Sequence, residues 1–313
     1  MQSPALHNTV TNPNHQPSES ACMNASVQPV LSPSAAGWKA SLALQFGWRD
    51  GRTILVRNQH LGPLRVQRPF YPESGGQAHV YILHPPGGIV AGDVLAIDAE
   101  FAAGSHGLIT TPSAGRVYRT NQAQLPQLQH TRVRIADGGW GEWLPQENIV
   151  FTGALARNVT EVDIQGDGRF IGWEIACLGR PASQEWFEQG ELQQQFILNR
   201  DGKPLLRERS LLVGGSDLLK APWGLQGMAC YGTLLCTATD NALLAELKTL
   251  CAEIGSAHPA ALRLAATALP GLIVVRGLAD NAAPLRNAFI ACWQRMRLHL
   301  KQQAAVAPRI WFT

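Results

Sequence analysis

The sequence predicts a mainly β chain, an antiparallel-rich, layered body of strands with two α-helices in its C-terminal third. Three observations carry that expectation. Segments with alternating or β-branched apolar residues run from position 38 to about 239. Asp-Gly pairs at Asp50-Gly51, Asp167-Gly168 and Asp201-Gly202 lie between such segments, as tight hairpins require where φ must exceed zero. The apolar period changes to that of a helix only twice, both times late in the chain.

In chain order, residues 1–37 come first, rich in Asn, Ser, Pro, Gln and Ala and almost free of charge. They predict a disordered N-terminal extension with neither the basic start nor the apolar run of a secretory signal. No later shift in composition marks a boundary, so 38–313 is expected to be a single domain. Residues 78–83 and 94–99 read as strands joined by His84-Pro85-Pro86-Gly87-Gly88-Ile89-Val90-Ala91-Gly92-Asp93. Two stiff prolines and three permissive glycines make that run a shaped connection. It is no phosphate loop, because no Lys-Ser or Lys-Thr and no helix follows the glycines. Ser105-His106, flanked by Gly104 and Gly107, reads as a turn. Residues 170–177 and 193–198 supply buried strand faces. Leu243, Leu244, Leu247, Leu250 and Cys251 share one helical face over 241–254, with Asp240 as N-cap. Residues 272–275 form one more buried strand. Leu285, Phe289, Cys292, Trp293, Met296 and Leu300 then define a helix over 284–301, with Pro284 in its first turn.

Composition narrows the function. A hydrophobic share of 45% supports a large core, and a net charge of +3 without a basic cluster excludes a nucleic-acid stripe. No apolar run reaches the ~18 residues that cross a bilayer. Six cysteines, at 22, 177, 230, 236, 251 and 292, form no Cys-x-x-Cys pair, which points to a reducing cytoplasm rather than a zinc site. There is no Gly-x-Ser-x-Gly elbow, no His-Glu-x-x-His and no recognisable cysteine nucleophile, so the chain does not read as an enzyme. Polar residues within apolar strands remain. Glu142 sits beside Trp140 and Trp143, Glu174 between Trp173 and Ile175, and Glu185 beyond the Arg180-Pro181 turn. Such carboxylates either pair with an arginine such as Arg119 or Arg180 or line a wet passage for a divalent cation.

Several blocks together resemble the UreD (UreH) family of urease accessory proteins. They are GPLRVQRPFYPE at 62–73, the 84–93 run, TTPSAGRVYR at 110–119, EWLPQENI at 142–149, WEIACLGRP at 173–181 and PRIWF at 308–312. One departure is Arg116, where the family more often has lysine, and the planar fork differs from an ammonium. The resemblance implies a scaffold that binds apo-urease, joins UreF and through it the GTPase UreG, and helps nickel reach the urease active site. It implies a cytoplasmic hetero-oligomer with no permanently bound cofactor and only transient Ni2+. In that role Asp93, Glu142, Glu174 and Glu185 become candidate oxygen lining of a conduit and His84 a candidate nitrogen donor, imidazole and exchangeable oxygens suiting a cation in transit. The alternative is a recruitment scaffold for UreF and urease that never touches metal. Arg309, Trp311 and Phe312 are residue types found at interface centres and are expected to dock on UreF, unless the tail packs on its own core.

Overall fold

The computed structural model describes residues 37–312, so the expected N-terminal extension, apart from its last residue Gly37, lies outside the described residues, as does Cys22. The strands are β1 (Lys39–Arg49), β2 (Arg52–Leu61), β3 (Arg65–Val66), β4 (Ala78–Leu83), β5 (Val94–Phe101), β6 (His106–Thr110), β7 (Gly115–Val117), β8 (Gln127–Ile135), β9 (Trp140–Trp143), β10 (Asn148–Val150), β11 (Ala154–Ile164), β12 (Arg169–Leu178), β13 (Gly190–Arg200), β14 (Lys203–Val213), β15 (Cys230–Cys236), β16 (Leu262–Leu269) and β17 (Leu272–Ala279). The helices are α1 (Asn241–Ala257) and α2 (Ala282–Lys301), and the described chain ends in a 3-10 turn, Arg309–Phe312. The mainly β class with two late helices is what the molecule has. Asp240 caps α1 through its side chain, accepting from Ala242 N at 2.7 Å and Leu243 N at 3.1 Å.

The pairing differs from the hairpin expectation. Seven strands form one sheet in the order β14-β13-β11-β8-β5-β1-β2, and ten form a second along β16-β17-β15-β12-β9-β6-β4-β3, with β10 and β7 attached. Among the described residues nine of the fifteen strand pairings are parallel. The chain alternates between the sheets, from β4 to β5, β6 to β8, β9 to β11 and β12 to β13. Each circuit therefore adds one strand to each sheet beside its predecessor and in the same direction. Parallel neighbours need a long crossover, and here that crossover is the strand laid in the opposite sheet.

Antiparallel hairpins are confined to the ends of the stack. Asp50-Gly51 and Asp201-Gly202 turn β1 into β2 and β13 into β14, with all four φ values positive. Asp167-Gly168 does not make a hairpin, because it links β11 to β12 across the two sheets. Ser105-His106 is not a turn either. The turn is over by Ser105, whose N donates to Ala102 O, and His106 opens β6.

Burial follows from this layering. In β5 and β11 every second residue points inward and is buried while its neighbours face solvent, as expected of a sheet covered on one side only. β12 is buried on both faces. Phe170, Ala176 and Leu178 join the core between the sheets, whereas Ile171, Trp173, Ile175 and Cys177 join a second core with α1 and α2. The sheets approach closely where Gly107 and Gly141 sit side by side in register. A Cβ on Gly107 would lie 2.9 Å from the rings of Phe46 and Phe101, and one on Gly141 2.9 Å from Phe101. Those two phenylalanines stack at 4.5 Å.

Gly107→Ala and Gly141→Ala force the stacked rings or a strand to shift, and each is expected to lower stability by about 1–3 kcal/mol, the usual range for overpacking. Urea denaturation with an unchanged slope checks this; a midpoint equal to the parent's contradicts it.

Candidate functional site

The alternation that fills the inter-sheet core with apolar residues gives way to polar side chains around one row, beside the buried Gln127, Thr131 and Thr160. The inward positions Gln129 of β8, Asn158 of β11 and Gln194 of β13 are direct neighbours in register, and they lay a band of amides across three parallel strands. Facing them from the other sheet is Glu174 of β12. Around these side chains opens a cavity of about 380 Å3, walled by the 84–89 connection and by residues 111–116 and 145–148. His84 and Arg116 stand in that wall.

Glu174 has no cationic partner within ion-pair distance among the described residues. Its oxygens accept hydrogen bonds from Thr160 Oγ1 and Gln194 Nε2. Burial pushes its carboxyl above the usual carboxylate range, against the pull of those two donors. A carboxyl held by neutral donors can change partners at low cost, unlike one locked to an arginine. Burial likewise lowers the His84 imidazole, and the Asp93 charge works the other way, so the ring is more readily neutral and free to offer a lone pair.

The structure brings His84 and Glu174 to one cavity and sets the other three candidates elsewhere. Asp93 accepts Trp38 N at 2.8 Å and Val90 N at 2.9 Å, so its carboxylate ties the start of β1 to the glycine-rich connection. Glu185 is exposed and paired with Arg180, whose guanidinium also lies 5.0 Å from the Phe151 ring centroid. Glu142 points to the helix side of the ten-stranded sheet. Among the described residues no group of three or more His, Cys, Asp or Glu is placed to hold a metal ion.

Glu142 belongs to a buried charge cluster that sequence reasoning missed. Its partner is neither Arg119 nor Arg180 but Arg297 of α2. Glu142 Oε1 accepts from Arg297 Nη1 and His106 Nε2, both at 2.7 Å, and Oε2 from Trp293 Nε1 at 2.8 Å. Arg297 Nη2 donates to Glu73, whose other oxygen lies 3.0 Å from His79 Nε2. Lys301 Nζ donates to His106 Nδ1 at 3.0 Å, which leaves Nε2 to carry the proton given to Glu142. Trp140 stacks on the His106 ring at 4.5 Å. Despite full burial, the Arg297 guanidinium and the His106 and Trp293 donors hold Glu142 down at about 2. One signal for Arg297 was legible: it lies four residues after Trp293, on the face of α2 that buries Phe289, Cys292, Trp293 and Met296.

The C-terminal trio divides. Trp311 packs 5.7 Å from both Trp173 and Trp293 and donates through Nε1 to Thr110 Oγ1 at 2.8 Å, so it belongs to the chain's own core. Arg309 and Phe312 remain exposed, Phe312 to 75%.

Comparison with known proteins points one way. A family model described as UreD urease accessory protein matches residues 39–312. Among curated relatives, a protein of Azoarcus sp. (strain BH72) is 44% identical over 285 residues, covering 90% of this chain and 97% of its own length. One from Hahella chejuensis is 42% identical over 287 residues (89% and 92%), and one from Klebsiella pneumoniae subsp. pneumoniae 41% over 286 (91% and 98%). Each bears the name urease accessory protein UreD.

Arg297→Met strands two buried carboxylates and is expected to cost roughly 3–5 kcal/mol at pH 7. Glu142 has a depressed folded pKa, so its contribution is complete above the unfolded value of 4.5 and is lost as pH falls toward 2. The variant lacks that contribution, and its stability should fall less steeply than the parent's across this window. Denaturation curves at pH 7, 5 and 3.5 test both; parallel acid limbs would contradict the assignment.

Proposed function

The chain belongs to the UreD family of urease accessory proteins, which act in urease maturation, and from that premise we propose that it binds apo-urease and, joined through UreF to the GTPase UreG, hands nickel toward the urease active site. The observation that carries this reading is the polar inter-sheet cavity, with His84 in its wall and Glu174 as a carboxyl without a cationic partner among the described residues. A carrier must hold its cargo well enough to take it in and loosely enough to let it go. Oxygen donors that exchange hydrogen bonds meet that requirement, whereas thiolates bind soft and borderline metals more firmly. The Cys236 thiol, pushed up to about 12 by burial, stays protonated.

In this reading the protein is a non-catalytic member of a hetero-oligomer in the cytoplasm. No helix of the described residues is long and apolar enough to cross a membrane. Of the carboxylates expected along a conduit, Glu174 is the one to which the role is assigned. A recruitment scaffold without metal contact is the second reading, and it draws support from Glu142, whose oxygens are taken up by Arg297, His106 and Trp293.

Glu174→Ala is expected to lower the nickel content and activity of urease matured with the variant at least fivefold while UreF still co-purifies with it. Full activation by that variant rules out the conduit and leaves the scaffold. For the tail, Phe312→Ala should weaken UreF capture without moving the melting temperature, since the side chain is exposed. Trp311→Ala should instead cost about 3 kcal/mol in stability, as large aromatic deletions from a core do. Undiminished capture by Phe312→Ala would remove the tail from the interface.

A further inference from the structure

Glu174 and Gln194 form a wall that is bordered from two sides. They line the 380 Å3 cavity, and they also line a void of about 20 Å3 whose other walls include Glu208, Ser210, Tyr231 and Thr233. A void of that size has room for one water. The two spaces are thus separated by a barrier only a few side chains thick, built from strands of both sheets.

Tyr231 holds that barrier shut. Its hydroxyl, on β15, donates to Gln194 Oε1 at 2.5 Å. With its carbonyl so engaged, the amide must turn its NH2 toward Glu174, and Nε2 donates to Glu174 Oε2. Thr160 Oγ1 occupies the other carboxyl oxygen. A cation arriving from the large cavity therefore meets a carboxyl already covered by donors and an amide presenting its positive end. The Gln194 terminal torsion is soft and two-fold, and the group carries an acceptor oxygen opposite its NH2. Released from Tyr231, the amide can turn over and offer its carbonyl beside the Glu174 carboxyl. Two oxygen donors then face the cation in place of one masked carboxyl, which is the ligand type a hard divalent ion takes.

Resting on the conduit reading above, we infer that the Tyr231–Gln194 hydrogen bond is a latch: it closes the way past Glu174, and a divalent cation crosses to the Glu208 side only when the bond opens and Gln194 presents its carbonyl. Tyr231 is a positioning residue, acting on the cation through Gln194. Its burial pushes the phenol well above its ordinary range, so the hydroxyl remains a donor throughout the neutral range.

The test follows Ni2+ transfer from the loaded accessory complex to apo-urease, with metal in urease quantified over time, for the parent protein and for Tyr231→Phe, Gln194→Leu and Glu174→Gln. Tyr231→Phe keeps the ring and removes the latch, and it should raise the initial transfer rate about fivefold, the factor that one ordinary hydrogen bond represents. Gln194→Leu also removes the latch but takes the carbonyl with it, and it should not accelerate transfer; a merely loosened structure would speed both. An unchanged or slower rate in Tyr231→Phe, with Glu174→Gln impaired, overturns the latch and leaves the conduit standing. Acceleration by Gln194→Leu equal to that of Tyr231→Phe overturns it as well. Parent-like transfer in Glu174→Gln overturns the conduit reading itself.

Discussion

The seat of α2 on the ten-stranded sheet turns on one guanidinium. Arg297 is wholly buried and spans two carboxylates, Glu73 before β4 and Glu142 in β9. Removing three charges from water costs several kcal/mol per ion, and only close, directional partners return it. The cluster meets that condition with His79 and Trp293 on the two oxygens that Arg297 leaves free, and with His106 sharing the Glu142 oxygen that it binds. A purely apolar contact would let α2 slide or rotate over the sheet. Arg297 must reach Glu142 with Nη1 and Glu73 with Nη2 at once, which constrains the seat of the helix, and that seat places Trp293 where Trp311 packs against it. The tail's position is thus inherited from the charge cluster, through two tryptophans.

The same sheet carries a contrasting arrangement on its other face. Toward the helices its carboxylates are locked by a cation and titrate low. Toward the second sheet, Glu174 is held by a hydroxyl and an amide and titrates high. Strand alternation separates the two environments, since successive residues of β9 and β12 point to opposite faces. One face therefore holds α2 rigidly in place, and the other leaves a carboxyl able to trade partners. For a protein that acts in the maturation of another, this division suits a fixed frame around an exchangeable interior.

The circuit of the chain explains why the cavity lies where it does. Because β8, β11 and β13 are parallel neighbours, Gln129, Asn158 and Gln194 fall into one row although about thirty residues separate each from the next. A hairpin sheet of the same strands would have scattered them. At Gly107 and Gly141 the Phe46–Phe101 stack fills the space between the sheets, and the cavity opens where the polar row lies.

Local chemistry was legible from the residues alone. Both helices, the Asp240 cap, the two end hairpins and the strand-to-strand nature of the 84–93 connection follow from apolar period, cap and turn chemistry, all of which act within a few residues. The blocks from 62 to 312 likewise sufficed for the family. Tertiary structure alone decided the parallel stacking, the crossover at Asp167-Gly168, the pairing of Glu142 with a residue 155 positions away, and the division of five candidate ligands into two that share a cavity and three that do not. The physical reason is range. Propensity and turn preference are properties of neighbours in the chain, whereas the partner of a buried charge and the row that an inward side chain joins depend on which distant strands come to lie side by side.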